Sequence, residues 1–324
     1  MTLPAAIADA LAGSLGERVV RASAVGGGSI NDAWRVELAD GRALFIKSRD
    51  DAVPGEFAAE AAGLEWIGEG GAVAVPGVLA VGGAGRHGGV REIYPDEIHI
   101  PHTSPGTGPT GRETSNSFLA LEWIEPGRLD HCGAERLGRE LAAMHRLGAT
   151  SFGWMPAVPE DGRQRIGSLP VPIEKRDDWP GFYGEVRLLP LVELARERGA
   201  ITARCGRDVE RICDRIDDLC GPAEPPARLH GDLWGGNVLA GAGGRAWLID
   251  PAAHGGHREL DLAMLRLFGN PGERVFTAYE EAFPLADGAA DRVRLYQLWP
   301  LLVHAILFGG GYGERVAIAS RHYI

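Results

Sequence analysis

The hydrophobic period of this chain changes at Glu125-Pro126-Gly127, and that change dictates what the chain can fold into. Before it, Val19–Val25, Ala33–Leu38 and Ala43–Lys47 read as strands, and Asp40-Gly41 between the last two is a strong hairpin signal. A first short helix is expected over residues 3–12. A second, Pro54–Ile67, places Phe57, Ala61, Leu64 and Ile67 on one face, and further strands lie within Val73–Val81 and Phe118–Ile124. After Gly127 the apolar residues recur at helical spacing: Leu137, Leu141, Met144 and Leu147, then Trp179–Arg198, then Val209, Ile212, Ile216 and Leu219. Leu260–Phe268, Arg274–Phe283 and Asp291–Phe308 supply three more helices. At 324 residues the chain exceeds what one compact core usually serves. The expected architecture is α+β, with a sheet-rich lobe over 1–124 and a larger helical lobe over 125–324.

A single segment of the helical lobe carries chemistry. His230-Gly231-Asp232-Leu233-Trp234-Gly235-Gly236-Asn237 is followed by Ala246-Trp247-Leu248-Ile249, a short apolar strand that delivers Asp250 at its end. Asn237 stands five positions after Asp232, and Asp250 thirteen after Asn237. Phosphoryl transfer needs one carboxylate to accept the proton of the attacking hydroxyl. It also needs an amide oxygen and a second carboxylate to hold Mg²⁺ against the phosphates. The residue types and both spacings meet that need together.

Such a site requires a phosphate cradle and a cation from the first lobe. Gly26-Gly27-Gly28-Ser29 lies between two strands, where glycine lets backbone N–H groups approach phosphate oxygens. Leu44-Phe45-Ile46-Lys47 is an apolar strand ending in a lysine that would reach the α- and β-phosphates of ATP. A buried ammonium needs an anionic partner. Glu60 on the next helix is the natural one, with Glu56 and Glu65 as rivals. Glu122, Trp123 and Ile124 end the last strand of this lobe, where backbone groups would pair with the adenine edge.

Composition narrows the class. The net charge is −11 with no long basic cluster, which argues against nucleic acid or an anionic membrane as partner. The longest apolar stretch, Leu295–Phe308, is too short for a membrane span, and the N-terminus lacks a secretory pattern. Cys205, Cys213 and Cys220 are spaced as one helical face and not as metal ligands, so free thiols in a cytoplasmic protein are expected. Gly82–Asn116 is a Gly, Pro, Ser and Thr-rich insertion that reads either as a hairpin extension or as a substrate lid or partner site.

Taken together these motifs resemble the fructosamine kinase (ketosamine-3-kinase) family, a branch of the aminoglycoside-phosphotransferase-like, protein-kinase-like fold. The resemblance runs through Gly26–Ile30, Phe45-Ile46-Lys47, Leu137 to His145, Asp177-Asp178-Trp179-Pro180, His230–Asn237, Asp250-Pro251-Ala252 and Glu259-Leu260-Asp261. It covers nearly the whole chain, and the Trp after His-Gly-Asp-Leu is its most specific mark. It implies ATP- and Mg²⁺-dependent phosphorylation of the sugar 3-hydroxyl of a ketoamine, a deglycation activity, on a small molecule or a glycated protein. By position it implies Asp232 as catalytic base, Asn237 and Asp250 as metal ligands, and Lys47 with Glu60 as the phosphate-orienting pair. It further implies substrate contacts at Asp178, Trp179 and Trp234, although Trp234 equally suits packing. Two other readings stand beside it: a kinase of a different amine-bearing alcohol, such as an aminoglycoside or choline-like acceptor, and a nucleotide-binding scaffold without activity. The oligomeric state is not legible.

Overall fold

The computed structural model describes residues 2–26, 31–83, 117–269 and 271–324, and the backbone of Arg91–Glu92. Gly27, Gly28, Ser29 and Ile30 of the expected phosphate loop lie outside the described residues, as does most of the Gly82–Asn116 insertion. The chain divides into two compact units, Met1–Ala61 with Gly77–Trp123 and Ala62–Pro76 with Ile124–Ile324.

The first unit holds α1 (Ala5–Leu15), β1 (Val19–Ala24), β2 (Asp32–Leu38), β3 (Ala43–Arg49), the opening turns of α2 (Glu56–Ile67), β4 (Val78–Gly82), β5 (Arg91–Glu92) and β6 (Ser117–Glu122). The strands form one antiparallel sheet in the order β1-β2-β3-β6-β4-β5. Alternation along β2 and β3 buries Trp34, Val36, Leu38, Leu44 and Ile46 on one face, where Ile7 and Leu11 of α1 cover them. Register puts Lys47 opposite Ala33 on one side and Leu119 on the other, in the middle of the sheet.

The second unit begins with α3 (His131–Arg146), whose N-terminus is capped by Asp130 accepting the Gly133 N–H at 2.7 Å. Its apolar stripe, Leu137, Leu141 and Met144, is fully buried. A small hairpin, β7 (Gln164–Ile166) and β8 (Leu169–Val171), precedes a helical run over Trp179–Glu197. That run is α4 (Trp179–Gly181), a π-helical segment (Phe182–Leu188) and α5 (Leu189–Glu197). The helix expected through the cysteines is in fact two, α6 (Ala203–Cys213) and α7 (Ile216–Leu219), broken at Asp214-Arg215. Cys205 and Cys220 are buried and Cys213 partly so, but they do not share one helix; all four cysteines are free.

Short strands follow: β9 (Ala227–Leu229), β10 (Val238–Ala240), β11 (Ala246–Leu248) and β12 (His254–Gly256). β9 pairs with β12 and β10 with β11, both antiparallel. The chain ends in α8 (Glu259–Leu267), α9 (Glu273–Ala282), α10 (Ala289–Phe308) and α11 (Tyr312–Ser320). Among the described residues no helix is long and apolar enough to cross a membrane.

Candidate active site

The loop 230–237 leaves β9 and enters β10, so Asp232 and Asn237 are tethered at both ends by strands that pair elsewhere. Asn237 Nδ2 donates to the Asp232 backbone carbonyl at 2.8 Å and to its carboxylate Oδ2 at 3.1 Å. With the amide nitrogen so committed, Asn237 Oδ1 is the atom left to act as a ligand. His230 joins the loop to the strand bearing Asp250. Its Nδ1 accepts the Asp232 N–H at 3.2 Å, and its Nε2 lies 2.9 Å from the Ile249 carbonyl. Those roles assign a neutral ring protonated at Nε2, and burial lowers its pKa accordingly. The Ile249 N–H donates to the Asn237 carbonyl at 3.1 Å, closing the circuit.

Asp250 follows β11 with φ 54°, the one non-glycine residue in the left-handed region among those described. An aspartate pays for that conformation, and such strain collects where a side chain must point in one direction. The Asp232 carboxyl is pushed up to about 7, chiefly by burial. The Asn237 amide opposes the rise, and the nearby Asp250 and Asp261 carboxylates add to it. A group at that value accepts a proton near neutral pH. The Asn237 amide oxygen and the Asp250 carboxylate are hard oxygen donors, the chemistry that fits Mg²⁺.

Beneath the loop lies a residue to which sequence reasoning gave no role. The Asp261 carboxylate, buried at the start of α8, accepts the His230 N–H at 2.7 Å and the Gly231 N–H at 2.9 Å. His145 Nε2 stands 3.3 Å from the same carboxylate, and its Nδ1 lies 2.8 Å from Tyr279 Oη. Burial works to raise the Asp261 pKa, but the hydrogen bonds from His145 and the Gly231 N–H and the electrostatic attraction of the His145 and His230 rings outweigh it, and the net shift is downward. Both residues stood inside matched motifs; only their contacts across the fold reveal the role.

Lys47 is 4% exposed and its ammonium is ion-paired with Glu60. Glu56 is taken instead by Arg49, which donates to both carboxylate oxygens at 2.6 Å. The expected adenine-facing groups are partly committed: the Glu122 N–H donates to the Gly77 carbonyl at 2.8 Å and the Trp123 N–H to Ala43 at 3.3 Å. Ile124 is buried in the second unit. Gly26 is described and open, with nothing within 4 Å of where a Cβ would stand.

Trp234 is 40% exposed, directly after the loop's Asp-Leu pair, and its indole lies over Gly236, where a Cβ would stand 2.2 Å from the ring. Trp179 and Asp178 are the other two residues expected at the substrate. Trp179 is buried among Phe152, Phe182, Tyr183, His257 and Tyr296, with its Nε1 donating to Tyr296 Oη at 3.2 Å. Asp178 caps α4 by accepting the Gly181 N–H at 2.7 Å. Trp179 is thus a core anchor, and Asp178 is an exposed residue that caps the helix beside it.

A fold of this kind is known from an aminoglycoside phosphotransferase, whose crystal structure matches 97% of this chain and 98% of its own with TM-score 0.59 at 13% identity. That likeness shows the fold, which is of the protein-kinase-like α+β class. Closer likeness comes from a crystal structure from Thermobifida fusca provisionally named a fructosamine-3-kinase, with TM-score 0.80 and 40% identity over 99% of both chains. A protein named "Probable ketoamine kinase" from Synechocystis sp. is 32% identical over 92% of this chain and 88% of its own length. The protein-ribulosamine 3-kinase of Arabidopsis thaliana is 32% identical over 91% and 80%. The fructosamine kinase family model matches residues 4–323, and the chain belongs to that family.

Proposed function

We propose that the protein phosphorylates the sugar 3-hydroxyl of a ketoamine at the expense of ATP. The Asp232 carboxylate takes the hydroxyl proton, the hydroxyl oxygen bonds to the γ-phosphorus, and the bond to the β–γ bridging oxygen breaks to release ADP. Asn237 Oδ1 and the Asp250 carboxylate hold Mg²⁺. When bound, Mg²⁺ neutralises charge on the β- and γ-phosphates. Lys47, steadied by Glu60, orients the α- and β-phosphates, and Trp234 lines the sugar site. The observation that carries this reading is the half-buried Asp232 carboxyl held by Asn237, with its pKa brought to about 7 near a second carboxylate. The family supports the acceptor class, and names among the relatives extend it to ribulosamines carried on proteins. A cytoplasmic location belongs to the same reading, supported by the four free thiols.

The test is ATP consumption and product mass across fructosyl- and ribulosyl-amines, aminoglycosides and amino alcohols. Turnover on the ketoamines with a mass gain of one phosphoryl group is expected. Turnover confined to aminoglycosides or amino alcohols overturns the acceptor, and no phosphoryl transfer to any of them overturns the activity.

A further inference from the structure

Behind the metal-ligand strand lies a set of buried polar groups that no step of the reaction uses. Arg187, in the π-helical segment, is 1% exposed, and no carboxylate partners it among the described residues. Its Nη1 donates to the Pro172 carbonyl at 2.7 Å and its Nη2 to Gln164 Oε1 at 2.5 Å. The rings of Phe182 and Trp299 lie 4.9 and 5.2 Å from the guanidinium. Burying a cation without a counter-charge is expensive, so a fold that keeps one gains something else from it.

What it gains follows from hydrogen-bond polarity. A guanidinium only donates, so the Gln164 side chain must turn its oxygen towards Arg187 and its NH₂ away. Gln164, itself 1% exposed, then donates through Nε2 to the Ala252 carbonyl at 2.7 Å. His254 Nδ1 meets the same carbonyl at 2.9 Å. That oxygen sits against the catalytic loop. Gly231 has φ 80°, and a Cβ on it would stand 2.0 Å from Ala252 O. Ala252 is two residues beyond Asp250, and Gly231 is next to Asp232. One carbonyl thus lies at the seam between the two acidic segments, and two buried side chains fix it there.

We propose that Arg187 and Gln164 form a positioning relay, in which the guanidinium orients the Gln164 amide so that it holds the Ala252 carbonyl and sets the spacing of Asp250 from Asp232. The inference rests on the reading of those two aspartates given above. Neither relay residue touches substrate; each acts through the backbone of the segment that bears Asp250.

Gln164→Glu separates positioning from mere packing. The carboxylate gives Arg187 the counter-charge it lacks, which sustains the fold, but it has no hydrogen to donate to Ala252. The expected result is a Tm no lower than that of the unaltered protein with kcat reduced at least 10-fold. The gain in ADP affinity that Mg²⁺ confers over EDTA, read by calorimetry without turnover, shrinks by at least 3-fold. Gln164→Met, which removes both bonds, lowers Tm as well as kcat per folded molecule, and serves if the glutamate variant does not fold. Either variant with unaltered kcat per folded molecule and an unaltered Mg²⁺ gain overturns the relay. Asp250→Ala is run alongside. If it keeps the Mg²⁺ gain, the metal-ligand reading fails and the relay falls with it. If it loses the gain while the Gln164 variants keep theirs, only the relay is overturned.

Discussion

Asp261 holds the backbone of His230, its carboxylate accepting that N–H at 2.7 Å while the adjoining Gly231 N–H binds the other oxygen at 2.9 Å. An anion is the best acceptor for two converging N–H groups, and burial makes each bond count for more. Hydrogen bonds to a charged group are worth roughly 1.5–3 kcal/mol each in net stability. Asp261→Asn keeps one oxygen but turns an NH₂ towards a backbone N–H. We expect Tm to fall and kcat to drop about 10-fold or more, because a loop shifted by a fraction of an ångström misplaces Asp232. Unchanged kcat in a variant of lowered Tm would show that Asp261 supports the fold and not the loop.

On the proposed reading, replacing Asp232 by Asn removes the proton acceptor while keeping a side chain that Asn237 can still bond. A positioned general base contributes about 10²–10⁴-fold. A kcat loss in that range is expected, with ADP affinity little altered by calorimetry. Wild-type turnover in Asp232→Asn removes the residue from the role of base.

The acidity of the same group sets a pH profile. Burial raises the Asp232 carboxyl from 3.8 to about 7, so the competent carboxylate is the minority form below that value. For the free enzyme, kcat/KM should therefore rise with pH through about 7 and level off above it. Stability runs the other way for this group. Between 3.8 and about 7 the folded state holds a proton that the unfolded chain has released, so its contribution to stability falls as pH rises through that window. A kcat/KM flat between pH 5.5 and 8.5 would place the base elsewhere.

Much of this was legible beforehand, and where it was not the reason is physical. The spacing of Asp232, Asn237 and Asp250 reflects local chemistry, because the loop and its strand are close in sequence. For Lys47 the natural partner was Glu60, with Glu56 and Glu65 as rivals, since residues about one helical turn apart compete for one face. Arg49, by claiming Glu56, narrows that choice, and the ion pair with Glu60 settles it. Asp261 and His145 went unassigned because their partners lie 31 and 116 residues away. Trp179 was expected at the substrate and lies in the core, for an aromatic residue type carries no statement of depth. The π-helical segment at Phe182–Leu188 keeps the apolar pattern of an α-helix closely enough to be read as one.

Two buried histidines give the fold an acid limit. Burial holds His254 at about 3 and His257 at about 4, against 6.5 for the ordinary ring. Arg187 adds to the depression at His254, whereas Glu224 partly offsets it at His257. Both are neutral in the folded protein, and the unfolded chain binds protons there first. Their contribution to stability is therefore intact above about 6.5 and is lost as pH falls from 6.5 towards 4. Urea midpoints at pH 7.5 and 5.0 should differ, and His257→Gln should narrow the difference. The same drop in the variant would deny His257 a share in acid sensitivity.

On the proposed reading Trp234 lines the sugar end of the site. An indole 40% exposed beside the catalytic loop is an unusual use of the largest apolar side chain, and its ring rests on Gly236, which has no side chain to pack against it. Stacking against a sugar's C–H face would give it a partner, while the nucleotide is held by other residues. Trp234→Ala should raise KM for the ketoamine by about 10-fold, the loss of roughly 1.4 kcal/mol of apolar contact. KM for ATP should move less than about 2-fold, and Tm should hold because the side chain is not among those that build the cores. Trp234→Phe, which keeps a ring of smaller area, should recover some of the loss. A variant with both KM values unchanged would return Trp234 to packing and leave sugar recognition to other residues.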